Sequence, residues 1–142
     1  MKDKPFKYFD TEEMGINSDF KWTPEIVEHG RMMDELREWA ATYNPKQFAK
    51  SGLVVSNRGW FRNKQDNKDV KGAKNSAHLD ARATDINNIP QSMFNDFITA
   101  WQVICMMYGK VGGIELYEWG MHFDSHSDKF GAAVFRLNDN RK

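Results

Sequence analysis

His78, Asp85 and His122 are the residues whose types and spacing carry chemistry in this chain. They stand in the strings Ser76-Ala77-His78-Leu79-Asp80-Ala81-Arg82-Ala83-Thr84-Asp85-Ile86 and Glu118-Trp119-Gly120-Met121-His122-Phe123-Asp124. Two imidazoles and one carboxylate form an open three-ligand set for zinc, with the fourth tetrahedral position left for water. An ion held in this way brings the pKa of its water down to about 7 and polarises a carbonyl oxygen, so the set predicts hydrolysis and not a structural metal. Such chemistry also needs a proton shuttle. Read as one strand, Glu118 to Asp124 puts Glu118, Gly120, His122 and Asp124 on one face and Trp119, Met121 and Phe123 on the other. Glu118 is then the candidate base. Glu115, of the opposite parity, and Asp124, which could instead orient an imidazole, are the competitors.

The elements that must position these groups are partly legible. Thr23 is a good N-cap, Pro24 fits the first helical position, and Glu25 sits near the positive end of the helix dipole. Ile26, Met33, Leu36, Ala40 and Tyr43 then recur at helical spacing until Asn44-Pro45, which predicts an amphipathic helix. His29 lies within it and is expected to be partly exposed. Leu53-Val54-Val55 reads as a short buried strand, followed by a polar loop from about 57 to 75. A second helix is expected from about Pro90 to Tyr108, with Phe94, Phe97, Ile98, Trp101, Ile104 and Cys105 forming its apolar face. Ala83 and Asp85 share one strand face, and His78 comes from the loop before that strand. Ile114–Tyr117, Met121–Asp124 and, more weakly, Ala132–Phe135 read as strands. Residues 1–22 are expected to wrap as an arm over the domain, and 136–142 to form a flexible end. The fold class is thus α+β, a single domain with a small, mainly antiparallel sheet flanked by helices and the metal site on the sheet face.

Composition bounds the partners. The chain has 142 residues, with 20 basic against 20 acidic side chains, so no global field draws in nucleic acid or an anionic membrane. No stretch approaches the roughly 20 apolar residues that span a bilayer, and the N-terminus lacks the apolar segment of a secretory signal. The single cysteine, Cys105, lies in an apolar run and is expected in the core. The eight methionines are expected to fill core gaps, and Trp60, Trp101 and Trp119 to pack, with Trp60 and Trp119 also candidates for lining a pocket. His126 is read as a polar turn residue, with a proton donor at the rim of the site and an accessory ligand as the alternatives.

These residues resemble those of the zinc D-alanyl-D-alanine carboxypeptidase and endopeptidase family, which includes VanX- and VanY-type enzymes and phage endolysins. Ser76-Ala77-His78, Asp85-Ile86 and Gly120-Met121-His122-Phe123-Asp124 match its Ser-x-His, Asp-Ile and His-x-Asp strings. Gly59-Trp60-Phe61-Arg62-Asn63, Asp66-Asn67 and Gly72-Ala73-Lys74-Asn75 stand where the family carries its upstream arginine motif, a polar pair and a glycine. The resemblance implies that His78, Asp85 and His122 hold zinc, that Arg62 stabilises an oxyanion or holds a substrate carboxylate, and that Ser76 binds the substrate terminus. Arg58 is the alternative to Arg62. It further implies a metallopeptidase cutting peptidoglycan stem or cross-link peptides at D-amino-acid bonds, compatible with a phage lysis or penetration enzyme made in the host cytoplasm. Two departures stand out: family members place the glutamate three residues before the last histidine, where this chain has Trp119, and Gly59-Trp60-Phe61 replaces Ser-Gly-Tyr. The competing readings are a virion or wall-binding protein that keeps the metal without turnover, and a metal-dependent nuclease using His122 and His126.

Overall fold

The computed structural model describes residues 6–17, 19–72, 76–125 and 134–141. Their order is α1 (Thr11–Met14), α2 (Pro24–Tyr43), α3 (Pro45–Phe48), α4 (Lys64–Asp69), a 3-10 turn (Ala77–Asp80), β1 (Ala83–Ile86), a 3-10 turn (Gln91–Met93), α5 (Phe94–Met107), β2 (Gly113–Tyr117), β3 (Gly120–Asp124) and β4 (Arg136–Asp139).

Local chemistry sets the long helices. Thr23 Oγ1 accepts from the Ile26 amide at 3.2 Å and Pro24 occupies the first turn, so α2 begins where a free amide is capped. It ends where Asn44 caps the next turn and Pro45 cannot continue the ladder. The buried stripe Ile26, His29, Gly30, Met33, Leu36 and Ala40 faces the core, while Tyr43 is exposed and stacks on Trp39 at 4.7 Å. In α5 the predicted face is buried at Phe94, Phe97, Trp101, Ile104 and Cys105, and Ile98 is half-buried. The first turn of this stretch is the 3-10 segment Gln91–Met93.

The sheet runs β1-β3-β2-β4, with β1/β3 and β3/β2 antiparallel and β2/β4 parallel. This is the α+β, mainly antiparallel arrangement expected from the sequence. Ile86, Ile114, Leu116, Met121 and Phe123 point to the helices, where Trp101 meets Phe123 edge-on at 5.4 Å. Burial of each such large apolar side chain stabilises the fold by about 1.5–3 kcal/mol relative to exposure. The opposite face carries Asp85, His122, Glu115 and Asn138, which are mutual register partners and form one row across all four strands.

Several expectations are corrected. Leu53-Val54-Val55 is not a strand: Val55 makes one isolated bridge to Ile86, and the rest of the segment is irregular. The polar loop contains α4, capped by Asn63 accepting from Asp66 at 2.7 Å. The expected last strand falls later, at Arg136–Asp139, so the segment read as a flexible end is held by parallel pairing to β2. Ala132 and Ala133 lie outside the described residues, as does His126. The N-terminal arm is an integral part of the core: Phe6, Phe9 and Met14 are buried, and Phe6 stacks on Trp60 at 5.9 Å. Gly30 makes this possible, because a Cβ there would lie 2.0 Å from the Phe6 ring. Cys105 and Trp60 are buried packing residues, as composition suggested, and burial pushes the thiol up to about 12.

Candidate metal centre and active site

The site is assembled from three separate pieces of backbone. Ser76 Oγ accepts from the His78 amide at 3.2 Å and thereby caps the 3-10 turn that presents His78. Asp85 comes from β1 and His122 from β3, where they are direct cross-strand partners. One donor atom from each of the three lies within 4.8 Å of the others, and all three residues are buried. His78 Nε2 stands 3.2 Å and His122 Nδ1 2.9 Å from the same carboxylate oxygen, Asp85 Oδ1.

Their outward nitrogens identify the tautomers. His78 Nδ1 is 2.8 Å from the Trp60 carbonyl and His122 Nε2 is 2.9 Å from Asp124 Oδ2. Both partners only accept, so these nitrogens carry the protons. In the neutral rings the lone pairs of His78 Nε2 and His122 Nδ1 then converge with a carboxylate oxygen. With both rings neutral these atoms form a nitrogen and carboxylate donor set that zinc fits, and in the metal-free protein a proton on His122 takes the cation's place. Asp124 is in turn paired to Arg136, whose side chain reaches it by crossing Gly113 of β2, where a Cβ would lie 3.1 Å from the guanidinium carbon.

The second oxygen of Asp85 is held separately. Arg62 Nη2 donates to Asp85 Oδ2 at 3.1 Å, Nη1 to Asn67 Oδ1 at 3.3 Å and Nε to the Arg58 carbonyl at 2.8 Å. The fork is thus fixed on three sides and leaves Oδ1 for the histidine side of the site. Arg58 itself points to α4, 3.9 Å from Asp66 and 3.6 Å from Asp69, so Arg62 is the arginine that reaches the centre.

These groups line a cleft of about 800 Å³ together with Ser76, Glu115, Tyr117, Trp119, Arg136 and Asn138. Glu115 Oε2 lies 3.9 Å from His122 Nε2, and its Oε1 accepts from Tyr117 Oη at 2.9 Å. Burial, then Glu115, raises the Tyr117 pKa and keeps the phenol a donor. Glu118 is placed elsewhere. Tyr117 pairs with Gly120, which makes Glu118 and Trp119 a two-residue hairpin turn, and Glu118 is exposed and not among the cleft residues. Alternation along a single strand therefore does not apply across Glu118 to Asp124, and the carboxylate facing His122 is Glu115 on the neighbouring strand.

Charge within the site is strongly coupled. Burial opposes ionisation of Asp85, but the histidines override it and hold its carboxyl well below the usual range. Asp124 is likewise opposed by burial and brought down to about 2 by His122 and Arg136. Burial would neutralise His122, yet its contacts with Asp124 and Asp85 raise its pKa to about 10. His29, expected to be partly exposed, is wholly buried behind the sheet, with Nδ1 2.9 Å from Ser125 Oγ and Nε2 3.0 Å from Thr84 Oγ1. Burial lowers its pKa to about 3.

These shifts set the pH dependence of the metal-free protein. His122, raised in the folded state, contributes stability that is complete below the unfolded value of about 6.5 and is lost as pH rises through about 10. His29, lowered in the folded state, has the opposite effect: stability falls as pH drops from about 6.5 towards 3, because the unfolded imidazole takes up a proton that the folded one refuses. The Asp124 contribution is present above about 3.9 and is lost as pH falls through about 2. The melting temperature in chelator is therefore expected to peak near pH 6.5. A His29→Gln variant is expected to flatten the acid side of that profile, and an unchanged acid limb would contradict the buried neutral imidazole.

Asp124 has a testable role as the group that orients His122. Its replacement by Asn is expected to weaken zinc retention by about 10–100-fold, the effect typical of losing the partner of a metal-bound imidazole. Competition with a fluorescent chelator measures this, and unaltered affinity would show that His122 is oriented by packing alone.

The described helices contain none long and apolar enough to cross a membrane. A family model described as Peptidase M15 matches residues 7–122. No curated protein and no solved structure gives a significant match. The matched stretch runs from the buried arm through both long helices and contains all three converging donors, ending on His122, and the chain belongs to the peptidase M15 family.

Proposed function

We propose that this protein is a zinc-dependent peptidase that hydrolyses peptidoglycan stem or cross-link peptides at bonds involving D-amino acids. The observation that carries the metal-dependent reading is the convergence of His78 Nε2 and His122 Nδ1 on Asp85 Oδ1, with the outward nitrogen of each imidazole already committed to an acceptor. Zinc, when bound there, supplies a Lewis acid for the scissile carbonyl and acidifies water. His78, Asp85 and His122 would hold it. Arg62, fixed by its three bonds, presents a permanent positive charge to the negative charge that develops on the carbonyl oxygen. Glu115 accepts the proton of the attacking water and returns it to the leaving amine, with Tyr117 holding one of its oxygens. Ser76, besides capping the His78 turn, lines the cleft where the substrate terminus is placed. The substrate class is supported by family membership.

Digestion of purified peptidoglycan by zinc-loaded and chelated protein, read by mass spectrometry of released muropeptides, tests this reading. Zinc-dependent appearance of new amine and carboxylate termini supports it and identifies the bond. A non-catalytic wall-binding role is the second reading, favoured by the position of Glu118 outside the cleft. It predicts stoichiometric zinc and wall binding with intact muropeptides.

A further inference from the structure

The peptidase reading uses the metal side of the cleft and leaves its hairpin wall unassigned. Trp119, the second residue of the β2–β3 turn, lines the cleft with 45% of its surface exposed. Its ring is stacked on Tyr117, with centroids 4.9 Å apart and an interplanar angle of 13°. Tyr117 is anchored through its hydroxyl to Glu115. A large aromatic at a hairpin tip leaves apolar area in water, and this one is backed by a ring that is itself tethered.

What the indole would meet follows from the rest of the wall. Asn57 and Asn138 bring amide groups to the cleft, and Val70 and Ala77 are its only aliphatic side chains among the described residues. An apolar substrate side chain is best taken by an enclosed apolar pocket, which this lining does not form. A flat aromatic face beside amides instead suits a ligand that is apolar on one face and polar around its rim. A pyranose ring has that shape. At about 800 Å³ the cleft also lies towards the upper end of the range for small-molecule sites, leaving space beyond the two residues of a scissile bond.

We infer that Trp119, backed by Tyr117, is a sugar-stacking subsite, so that the protein takes its stem peptide with an N-acetylhexosamine still attached. This rests on the peptidoglycan reading above and adds to it the glycan-linked peptide as the preferred substrate.

The test compares two soluble substrates of the same stem sequence, a disaccharide-linked muropeptide and the free peptide left after removal of the sugar. Zinc-loaded wild type, Trp119→Ala and Trp119→Phe are assayed on both. The quantity read is the ratio of kcat/KM for the two substrates, which cancels any loss common to both. In wild type it is expected to favour the sugar-linked substrate by about five- to tenfold through KM, the size of one aromatic stacking contact. The ratio falls to near one in Trp119→Ala and is largely restored in Trp119→Phe. A wild-type ratio near one, or a preference that survives Trp119→Ala, overturns the inference. In parallel, N,N′-diacetylchitobiose is titrated into the same proteins while the backbone amide resonances of Glu118 and Gly120 are followed by NMR. If neither substrate is cleaved, the peptidase reading has failed, and this titration alone decides: saturable shifts lost in Trp119→Ala uphold the sugar subsite, and absent shifts in wild type overturn it.

Discussion

Asp85→Ala protein is expected to lose stoichiometric zinc and to turn over peptidoglycan peptides about a thousandfold or more slowly than wild type. Asp85 Oδ1 is the atom on which both imidazole nitrogens converge, and its Oδ2 holds Arg62, so one substitution removes a ligand and one of the three bonds that fix Arg62. Lewis-acid stabilisation is worth several kcal/mol, and each 1.36 kcal/mol is a factor of ten in rate. Zinc content by plasma emission spectroscopy and turnover by chromatography of released peptides read the two effects separately. Full zinc occupancy with wild-type turnover would dismantle the three-ligand assignment. A circular dichroism spectrum guards against a trivial result, since leaving Arg62 half-buried without its carboxylate also costs stability.

A second large effect is expected at Glu115. Glu115→Gln keeps the size and the hydrogen bond from Tyr117 while removing the proton acceptor, and kcat is expected to fall by about 10²–10⁴, the contribution of a positioned general base. Glu118→Gln is expected to fall far less, because Glu118 sits on the exposed turn outside the cleft lining. Zinc affinity should be retained in both variants, which separates this outcome from that of Asp85→Ala. If Glu118→Gln is the crippled enzyme and Glu115→Gln the active one, the base belongs to the hairpin tip and Glu115 serves only to hold Tyr117.

How much of this was legible depended on whether the signal was local. The bounds of α2 follow from Thr23-Pro24 and Asn44-Pro45, because capping and ring closure act within a few residues. The converging histidines and aspartate were legible from residue type and spacing. The approach of Glu115 to His122 was not, since a two-residue turn at Glu118-Trp119 moves the facing carboxylate onto another strand, and register depends on pairing as well as on pattern. A stop at Tyr117 followed by two turn residues and Gly120 was the available signal. Arg136 gave no sign of its role, because its partner Asp124 is brought near only by parallel pairing of β4 to β2 and by the bare backbone of Gly113. His29 looked like an ordinary helix residue: a polar side chain on a buried stripe is accommodated only when hydroxyls such as Ser125 and Thr84 are waiting for it. The arm lacked a period because it packs through single anchors, Phe6, Phe9 and Met14, and presents no continuous face.

The row Asp85, His122, Glu115 and Asn138 runs perpendicular to the strands, one residue from each. Sliding β1 or β3 by one position would turn its ligand to the helix side and bring an apolar neighbour such as Ile86 or Phe123 into the cleft. A cation that needs both ligands consequently has affinity for one alignment of the sheet and little for its slipped alternatives, and by mass action it deepens that basin alone. Zinc would then act as a proofreader of strand pairing, and metal uptake during refolding would report the moment at which the sheet locks into place.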